Sequence, residues 1–231
     1  MAIIEINNLS KNFGGVRPID NLSLKINKGT ITGIIGRNGS GKTTLMDLIS
    51  GMVSADAGAV IIDGKIMNDK KPWTIARAGV ARTFQTTRIF EQMTVMDNIL
   101  AVIAEKNVFA SLFEKDRAHY LKRAKKALMR VGLLEKENQM ASKLSYGQRR
   151  LLEIARILAS DARIILLDEP FSGVHPAMIK IVAEILQEMK NQGKTIIFIE
   201  HNIGLVRQLC DNLLFIPGKR LLPVCRPRSE S

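Results

Sequence analysis

Gly36-Arg37-Asn38-Gly39-Ser40-Gly41-Lys42-Thr43 decides the fold of this chain, because it writes out the G-x-x-x-x-G-K-[ST] pattern of a phosphate cradle in full. Residues 30–35 before it read as a buried strand, and Thr44-Leu45-Met46-Asp47-Leu48-Ile49 after it as the start of a helix. Glycine lets a backbone bend closely around oxygen atoms without a Cβ clash. Successive N–H groups and the helix N-terminus then present partial positive charge to a polyphosphate. In that geometry Lys42 reaches the β and γ phosphates and the Thr43 hydroxyl binds Mg²⁺. The fixed positions of the pattern arise by chance in roughly 1% of chains of this length. A strand before and a helix after reduce that further. The stretch implies a nucleoside triphosphate site built from Gly36, Arg37, Asn38, Gly39, Ser40, Gly41, Lys42, Thr43 and Thr44.

The 231 residues are 46% hydrophobic, ample for one substantial core or a core with a lobe. No apolar run is long enough to span a bilayer. Met1-Ala2-Ile3-Ile4-Glu5 lacks the basic start and long apolar stretch of a secretory signal, so a cytoplasmic location is expected. Cys210 and Cys225 have no metal-ligand spacing and fit a reducing compartment, as a buried thiol and an incidental tail residue. The formal net charge of +12 permits a nucleic acid or the anionic inner face of a membrane as neighbour. The basic residues are spread over 115–130, Arg149-Arg150 and 219–228, without the interleaved aromatics of a single-strand-binding groove. Charge alone does not choose between the two.

Short β-rich segments come first, at 3–6, 22–26 and 30–35, followed by a strand leading into a glycine turn at 58–64. From about 94 to 134 apolar residues recur at helical spacing among many Lys, Arg and Glu, which reads as a helical insert. Helix and strand then alternate: helix 145–160, strand 163–167, helix 175–191, strand 195–199, helix 204–209. The two strands are nearly all apolar, as parallel strands covered on both faces are. Alternating βα units imply a doubly wound α/β core.

Ile164-Ile165-Leu166-Leu167-Asp168-Glu169-Pro170 puts two carboxylates at the C-terminal end of a buried strand, the edge where open α/β sheets bind ligands. Neighbouring strand residues point opposite ways, so the two acids can take different tasks. Asp168 suits a Mg²⁺ hydration shell, and Glu169 suits orienting or deprotonating an attacking water. In a chain without a phosphate loop, two surface acids at a strand end would be the better reading. His201 follows the apolar run Thr195-Ile196-Ile197-Phe198-Ile199 on the same expected edge, where an imidazole can donate to a γ-phosphate oxygen. His119, in its charged helix, reads as an ordinary polar residue. Gln85 can place a side-chain carbonyl near the metal, although on spacing alone it is unremarkable. Leu144-Ser145-Tyr146-Gly147-Gln148 opens a helix. Ser145 there is a good helix cap and Gly147 a tolerated weak spot. Alternatively the helix start faces a phosphate. Lys42 already covers the γ-phosphate in its own chain, so a second phosphate-binding helix start suggests a site completed by another copy.

In this order, Gly36–Thr43, Gln85, Leu144–Gln148, Ile164–Glu169 and His201 resemble the nucleotide-binding subunit of an ABC transporter, over nearly the whole chain from Ile3 to about Ile216. The resemblance implies a P-loop NTPase (RecA-like) α/β core with an antiparallel β subdomain and an inserted α-helical subdomain. It divides the chain into a catalytic core with β subdomain at 1–85 and 161–216, a helical subdomain at 86–160 and an atypical basic tail at 217–231. It implies ATP and Mg²⁺, the metal held by Thr43, Gln85 and Asp168. Phe13 would stack on adenine, with Val16 beside it. Glu169 would be the general base, with Lys42, Gln85 and the switch His201 in the same catalytic set. Ser145, Tyr146, Gly147 and Gln148 would bind the nucleotide held by the other subunit, so that two ATP molecules join a head-to-tail homo- or heterodimer. Ser172-Gly173-Val174-His175 would form the loop that signals across that dimer, with His175 standing where relatives carry Asp or Asn.

Residues 81–90 and 144–150 further resemble the importers of branched-chain amino acids. That likeness implies integral membrane permease subunits, an extracytoplasmic solute-binding protein and a place on the inner face of the cell membrane. In that family the segment from Thr86 to Met93 helps form a groove for a helix of the membrane subunit; Ile89, Phe90 and Met93 read equally well as core of the helical lobe. A lipid or lipopolysaccharide exporter, or a nucleic-acid-associated ABC ATPase, is the alternative. The second is weaker, because this chain has neither tandem modules nor long coiled coils, and no nucleic acid partner is expected. The end departs from the family pattern, and residues beyond about Pro223 are expected to be poorly ordered.

Overall fold

A computed structural model describes residues 1–104, 114–216 and 220–223. The chain divides into two compact units, Met1–Arg82 with Arg163–Glu169 and Lys190–Ser231, and Thr83–Ala162 with Pro170–Met189.

The first unit holds two sheets. The smaller one is antiparallel with order β2-β1-β4-β5, formed by β1 (Ala2–Phe13), β2 (Val16–Asn27), β4 (Ala57–Ile62) and β5 (Lys65–Ile66). β1 and β2 are far longer than the apolar cores at 3–6 and 22–26. Register shifts along the pair, with Asn8 and Asn21 at positive φ, break the period-two alternation that a sequence pattern reads. The larger sheet has order β10-β9-β3-β8-β7-β6, from β3 (Ile31–Ile35), β6 (Val80–Arg82), β7 (Ile164–Asp168), β8 (Thr195–Ile199), β9 (Asn212–Phe215) and β10 (Arg220–Pro223). All its pairings are parallel except β10 against β9. Every residue of β7 and β8 is buried, which explains their unbroken apolar runs. The edge strand β10 falls within the segment read as an atypical tail, and its Pro223 sits at the strand end where no ladder donor is needed. Residues 224–231, expected to be poorly ordered, lie outside the described residues.

One core joins the two sheets to helix α1 (Lys42–Ile49). Ile4, Ile6, Leu9, Ile26, Leu45, Met46, Ile49, Ile62, Leu166, Ile197 and Leu214 are its centre. The guanidinium of Arg82, at the end of β6, pairs with Asp47 at 2.6 Å and donates to Ser50 Oγ at 2.7 Å, tying the far end of α1 to that strand. A short helix, α2 (Pro72–Arg77), precedes β6 and starts with proline at its first turn.

In the second unit, α3 (Val95–Ala104), α4 (Glu114–Arg130) and α5 (Tyr146–Ala159) pack on one another, as the apolar periodicity of the insert requires. Val95, Ile99, Ala124, Leu128, Leu152 and Ala155 are fully buried there. The expected insert also covers residues 105–113, outside the described set. Helix α6 (Pro176–Asn191) buries Val182, Ile185, Leu186 and Met189, an i, i+3, i+4, i+7 stripe. Helix α7 (Ile203–Leu209) follows β8 and is capped by the Asn202 side chain. Among the described residues no helix is long and apolar enough to cross a membrane.

Candidate functional site

β3 ends at Ile35 and the phosphate loop follows directly, delivering the chain into α1 at Gly41. That residue has φ +96, and a Cβ on it would stand 2.5 Å from the Pro18 carbonyl oxygen, so only glycine fits. The same contact brings β2 over the loop. Two residues before Pro18, Val16 pairs with Phe13 across the hairpin tip, and both side chains are exposed. The Lys11 ammonium lies 5.2 Å from the Phe13 ring centroid. An exposed aromatic face with an apolar neighbour at the edge of a phosphate loop suits a flat base.

Lys42 is buried and its Nζ donates to the Gly36 and Arg37 carbonyl oxygens at 2.8 and 2.9 Å. Burial pushes its pKa down, while the Glu169 and Asp168 carboxylates pull it back up. The ammonium, the two acids and the loop therefore form one electrostatic group. Ser40 Oγ is buried with no hydrogen-bond partner, and α1 starts without a side-chain cap. A buried orphan hydroxyl and an uncapped helix start are what a phosphate oxygen would satisfy. Arg37, Asn38, Gly39 and Thr43 are exposed and Thr44 is half-buried, so the Thr43 hydroxyl is open to a metal-bound phosphate.

Asp168 ends β7, buried and in register with Ile199 of β8. Glu169 follows at φ +49, a left-handed conformation that non-glycine residues seldom adopt, and its N–H donates to the Ile199 carbonyl oxygen at 3.1 Å. This turn separates the two acids. Glu169 Oε1 then lies 3.2 Å from His201 Nε2, with the imidazole half exposed. His201 is itself oriented through its N–H, which donates to Glu200 Oε2 at 3.1 Å. Lys42, Asp168, Glu169 and His201 are thus neighbours within the first unit. Asp168 with the Thr43 hydroxyl and phosphate oxygens is a hard-oxygen donor set that fits Mg²⁺, an ion that keeps several waters and needs few protein ligands.

The remaining expected residues lie in the second unit. Gln85 has an exposed side chain, and its carbonyl oxygen accepts from the Arg150 guanidinium. Ser145 caps α5: its Oγ accepts the Gln148 N–H at 3.3 Å and Gln148 Oε1 accepts the Ser145 N–H at 3.1 Å. Tyr146 is exposed, and a Cβ on Gly147 would come within 2.8 Å of the Gly173 carbonyl oxygen. His175 Nδ1 accepts the Ala177 N–H at 3.3 Å ahead of α6. Phe90 and Met93 are exposed and Ile89 is partly buried, so Phe90 and Met93 are not core of the helical lobe. Sequence reasoning overlooked Arg150 and Glu153, an ion pair buried on α5; an acid and a base three apart on an amphipathic helix were the available signal.

A family model described as ABC transporter matches residues 19–172. The high-affinity branched-chain amino acid transport ATP-binding protein LivG of Salmonella typhimurium is 35% identical over 223 residues, covering 93% of this chain and 88% of the relative. The probable branched-chain amino acid transport ATP-binding protein LivG of Methanocaldococcus jannaschii is 35% identical, covering 100% of this chain and 92% of that protein. Among solved structures, an ATP-binding cassette of an ABC transporter in its ADP conformation is 32% identical with a TM-score of 0.81, over 100% of this chain and 93% of that one. A dimeric cassette in a post-hydrolysis state with ADP and Pi is similar in fold, at 23% identity and a TM-score of 0.86, over 97% of this chain and 100% of that one.

Proposed function

Because the chain belongs to the ABC transporter family, we propose that it is the ATP-binding and ATP-hydrolysing subunit of an importer for branched-chain or related amino acids. It works in a pair with a second ATPase subunit, beneath integral permease subunits on the inner membrane face, with an extracytoplasmic solute-binding protein delivering the cargo. The names of the relatives support import of this solute class over a lipid exporter or a nucleic-acid-associated ATPase.

The observation that carries the catalytic reading is Glu169, held in a left-handed turn at the end of β7 with Oε1 3.2 Å from His201 Nε2 and its charge acting on Lys42. Glu169 accepts the proton of the attacking water at its carboxylate. His201 holds that carboxylate through Nε2 in the nucleotide-free protein, and the same N–H turns to the γ-phosphate when nucleotide is bound. Lys42 exchanges its two loop carbonyls for β and γ phosphate oxygens, which hold an ammonium more strongly. Ser40 Oγ and the N–H groups at the start of α1 donate to the same oxygens, and the Phe13 face with Val16 takes the adenine. When bound, Mg²⁺ neutralises developing charge on the phosphates, and Thr43, Asp168 and the Gln85 side chain would hold it. Ser145, Tyr146, Gly147 and Gln148 complete the pocket of the partner subunit.

Glu169→Gln removes the base and keeps the shape. Steady-state hydrolysis by the complex with its membrane subunits should fall about 10²- to 10⁴-fold, while nucleotide binding persists. Hydrolysis at the unsubstituted rate would refute the assignment. Co-purification with permease subunits and a solute-binding protein, and the solute that protein binds, tests the cargo.

A further inference from the structure

Arg150 and Glu153 are among the most deeply buried charged side chains described, at 2% and 5% exposure, and no step above uses them. They sit one turn apart on α5 with guanidinium and carboxylate 3.0 Å apart. An aliphatic pair would fill the same space without the desolvation cost of two charges. Their other contacts explain what an aliphatic pair would lose. Arg150 Nη1 donates to the Phe84 carbonyl oxygen at 2.6 Å, and Nη2 donates to the carbonyl of Gln85. Glu153 Oε1 accepts the Arg88 N–H at 2.8 Å. Arg156, one turn further along, donates to the Arg88 carbonyl oxygen. The segment is also closed on itself, since the Arg88 guanidinium lies 3.7 Å from the Phe84 ring centroid.

Four hydrogen bonds thus join side chains of the helix that opens at Ser145 to backbone atoms of Phe84, Gln85 and Arg88. A planar guanidinium that donates to two successive carbonyls fixes the orientation of the peptide group between Phe84 and Gln85. That peptide group carries the Gln85 side chain. One turn before Arg150, at the start of α5, Gly147 leaves room for the Gly173 carbonyl oxygen of the loop that contains His175, which a Cβ would meet at 2.8 Å.

We propose that Arg150 and Glu153 are positioning residues that lock the Gln85 segment onto α5, so that Gln85 and the Ser145–Gln148 turn move as one piece. The inference rests on the function proposed above, in which Gln85 would help hold the Mg²⁺ of its own nucleotide and Ser145 would meet the nucleotide of the partner. A rigid link between them makes occupancy of one pocket bias assembly of the other. Burial pushes the Glu153 pKa up, with the Arg88 N–H and Arg150 opposing, so the pair also depends on both members being present.

Removing one member would leave a lone buried charge, so the decisive variant replaces both, Arg150→Met with Glu153→Met. Arg150→Lys is the companion, since it keeps a cation for Glu153 but lacks the planar fork that spans two carbonyls. Four quantities are measured: nucleotide affinity of the isolated subunit, kcat and KM of the full transporter, and nucleotide-dependent dimerisation in the Glu169→Gln background. Expected are unchanged nucleotide affinity and KM, kcat lower by about two- to thirtyfold, and weakened dimerisation, with Arg150→Lys reproducing the kcat loss in part. Unchanged kcat and dimerisation in the double variant would overturn the proposal. If the double variant does not fold, Arg150→Lys decides, and full kcat there overturns it equally. If the unsubstituted protein neither binds ATP nor hydrolyses it, the proposed function fails and the link between the two segments is not what failed.

Discussion

Helices α1 and α5 both begin with the residue types of a phosphate-binding helix start, and their local states are opposite. At α1 the Ser40 hydroxyl is buried without a partner, no side chain caps the helix, and Lys42 folds back on two carbonyls of its own loop. At α5 the Ser145 and Gln148 side chains close a reciprocal capping box. An anion at α1 satisfies the Ser40 hydroxyl and the uncapped N–H groups, whose hydrogen bonds add almost in full, while Lys42 exchanges two carbonyl partners for charged ones. An anion at α5 must first displace bonds that the helix already makes, so its net gain is small unless other contacts accompany it. On the function proposed above, one start would therefore bind a triphosphate alone. The other would gain only when a second chain brings a bound nucleotide together with its own surface, as the proposed dimer requires.

The sharpest way to break this contrast is Lys42→Met. The substitution keeps the stem and removes the ammonium, leaving Asp168 and Glu169 without the cation between them and the loop. Charge-assisted hydrogen bonds contribute about 1.5–3 kcal/mol, so nucleotide affinity of the isolated subunit should fall about ten- to a hundredfold. Titration with a fluorescent nucleotide measures it. Unchanged affinity would mean that α1 and its loop do not supply the primary phosphate contacts.

Which parts of this contrast a sequence reveals depends on whether the signal is local. The phosphate loop is legible because glycine at Gly41 is demanded by a φ and a close approach that other residue types cannot meet. β7 and β8 are legible because burial on both faces turns them into apolar runs. The Ser145 cap is legible as a cap, but its alternative role needs a second chain and has no local signature. β1 and β2 were under-read because Asn7, Asn8, Ser10 and Lys11 lie where the register shifts, and a shifted register erases alternation. β9 and α2 are too short for a period to register, with four and six residues. Arg150 and Glu153 are legible as an i, i+3 pair but not as a buried one, for a different reason. A charge on a helix reads as solvated, and only the backbone of residues 84–88, distant in sequence, makes their burial tolerable. Burial of that kind is a tertiary property.

A smaller effect separates the two helix starts by stability. Ser145→Ala removes a cap whose hydroxyl already accepts an N–H, so it should destabilise the nucleotide-free subunit by about 1 kcal/mol, or about 2–4 °C in thermal midpoint. Nucleotide affinity of the isolated subunit should stay within about twofold, since Ser145 and the phosphate loop share no partner. Thermal melts with and without ATP measure both. A midpoint that does not move would indicate that the capping box contributes little, and that α5 is as open to an anion as α1.

The smallest effect, and the one with the opposite sign, is expected from Ser40→Ala. The hydroxyl is buried and makes no hydrogen bond, so deleting it relieves a desolvation cost in the nucleotide-free protein. The midpoint there should rise slightly or stay within about 0.5 kcal/mol of the original. With nucleotide the balance reverses, because a donor to a phosphate oxygen has been lost. Affinity should drop about threefold, well short of the Lys42→Met effect. The informative quantity is the difference between the two melts: the shift caused by ATP should shrink in Ser40→Ala and persist in Ser145→Ala. A nucleotide-free Ser40→Ala protein destabilised as much as Ser145→Ala would mean that the Ser40 hydroxyl already has a partner of its own. The α1 start would then be as self-contained as α5, and the asymmetry between the two helices would be lost.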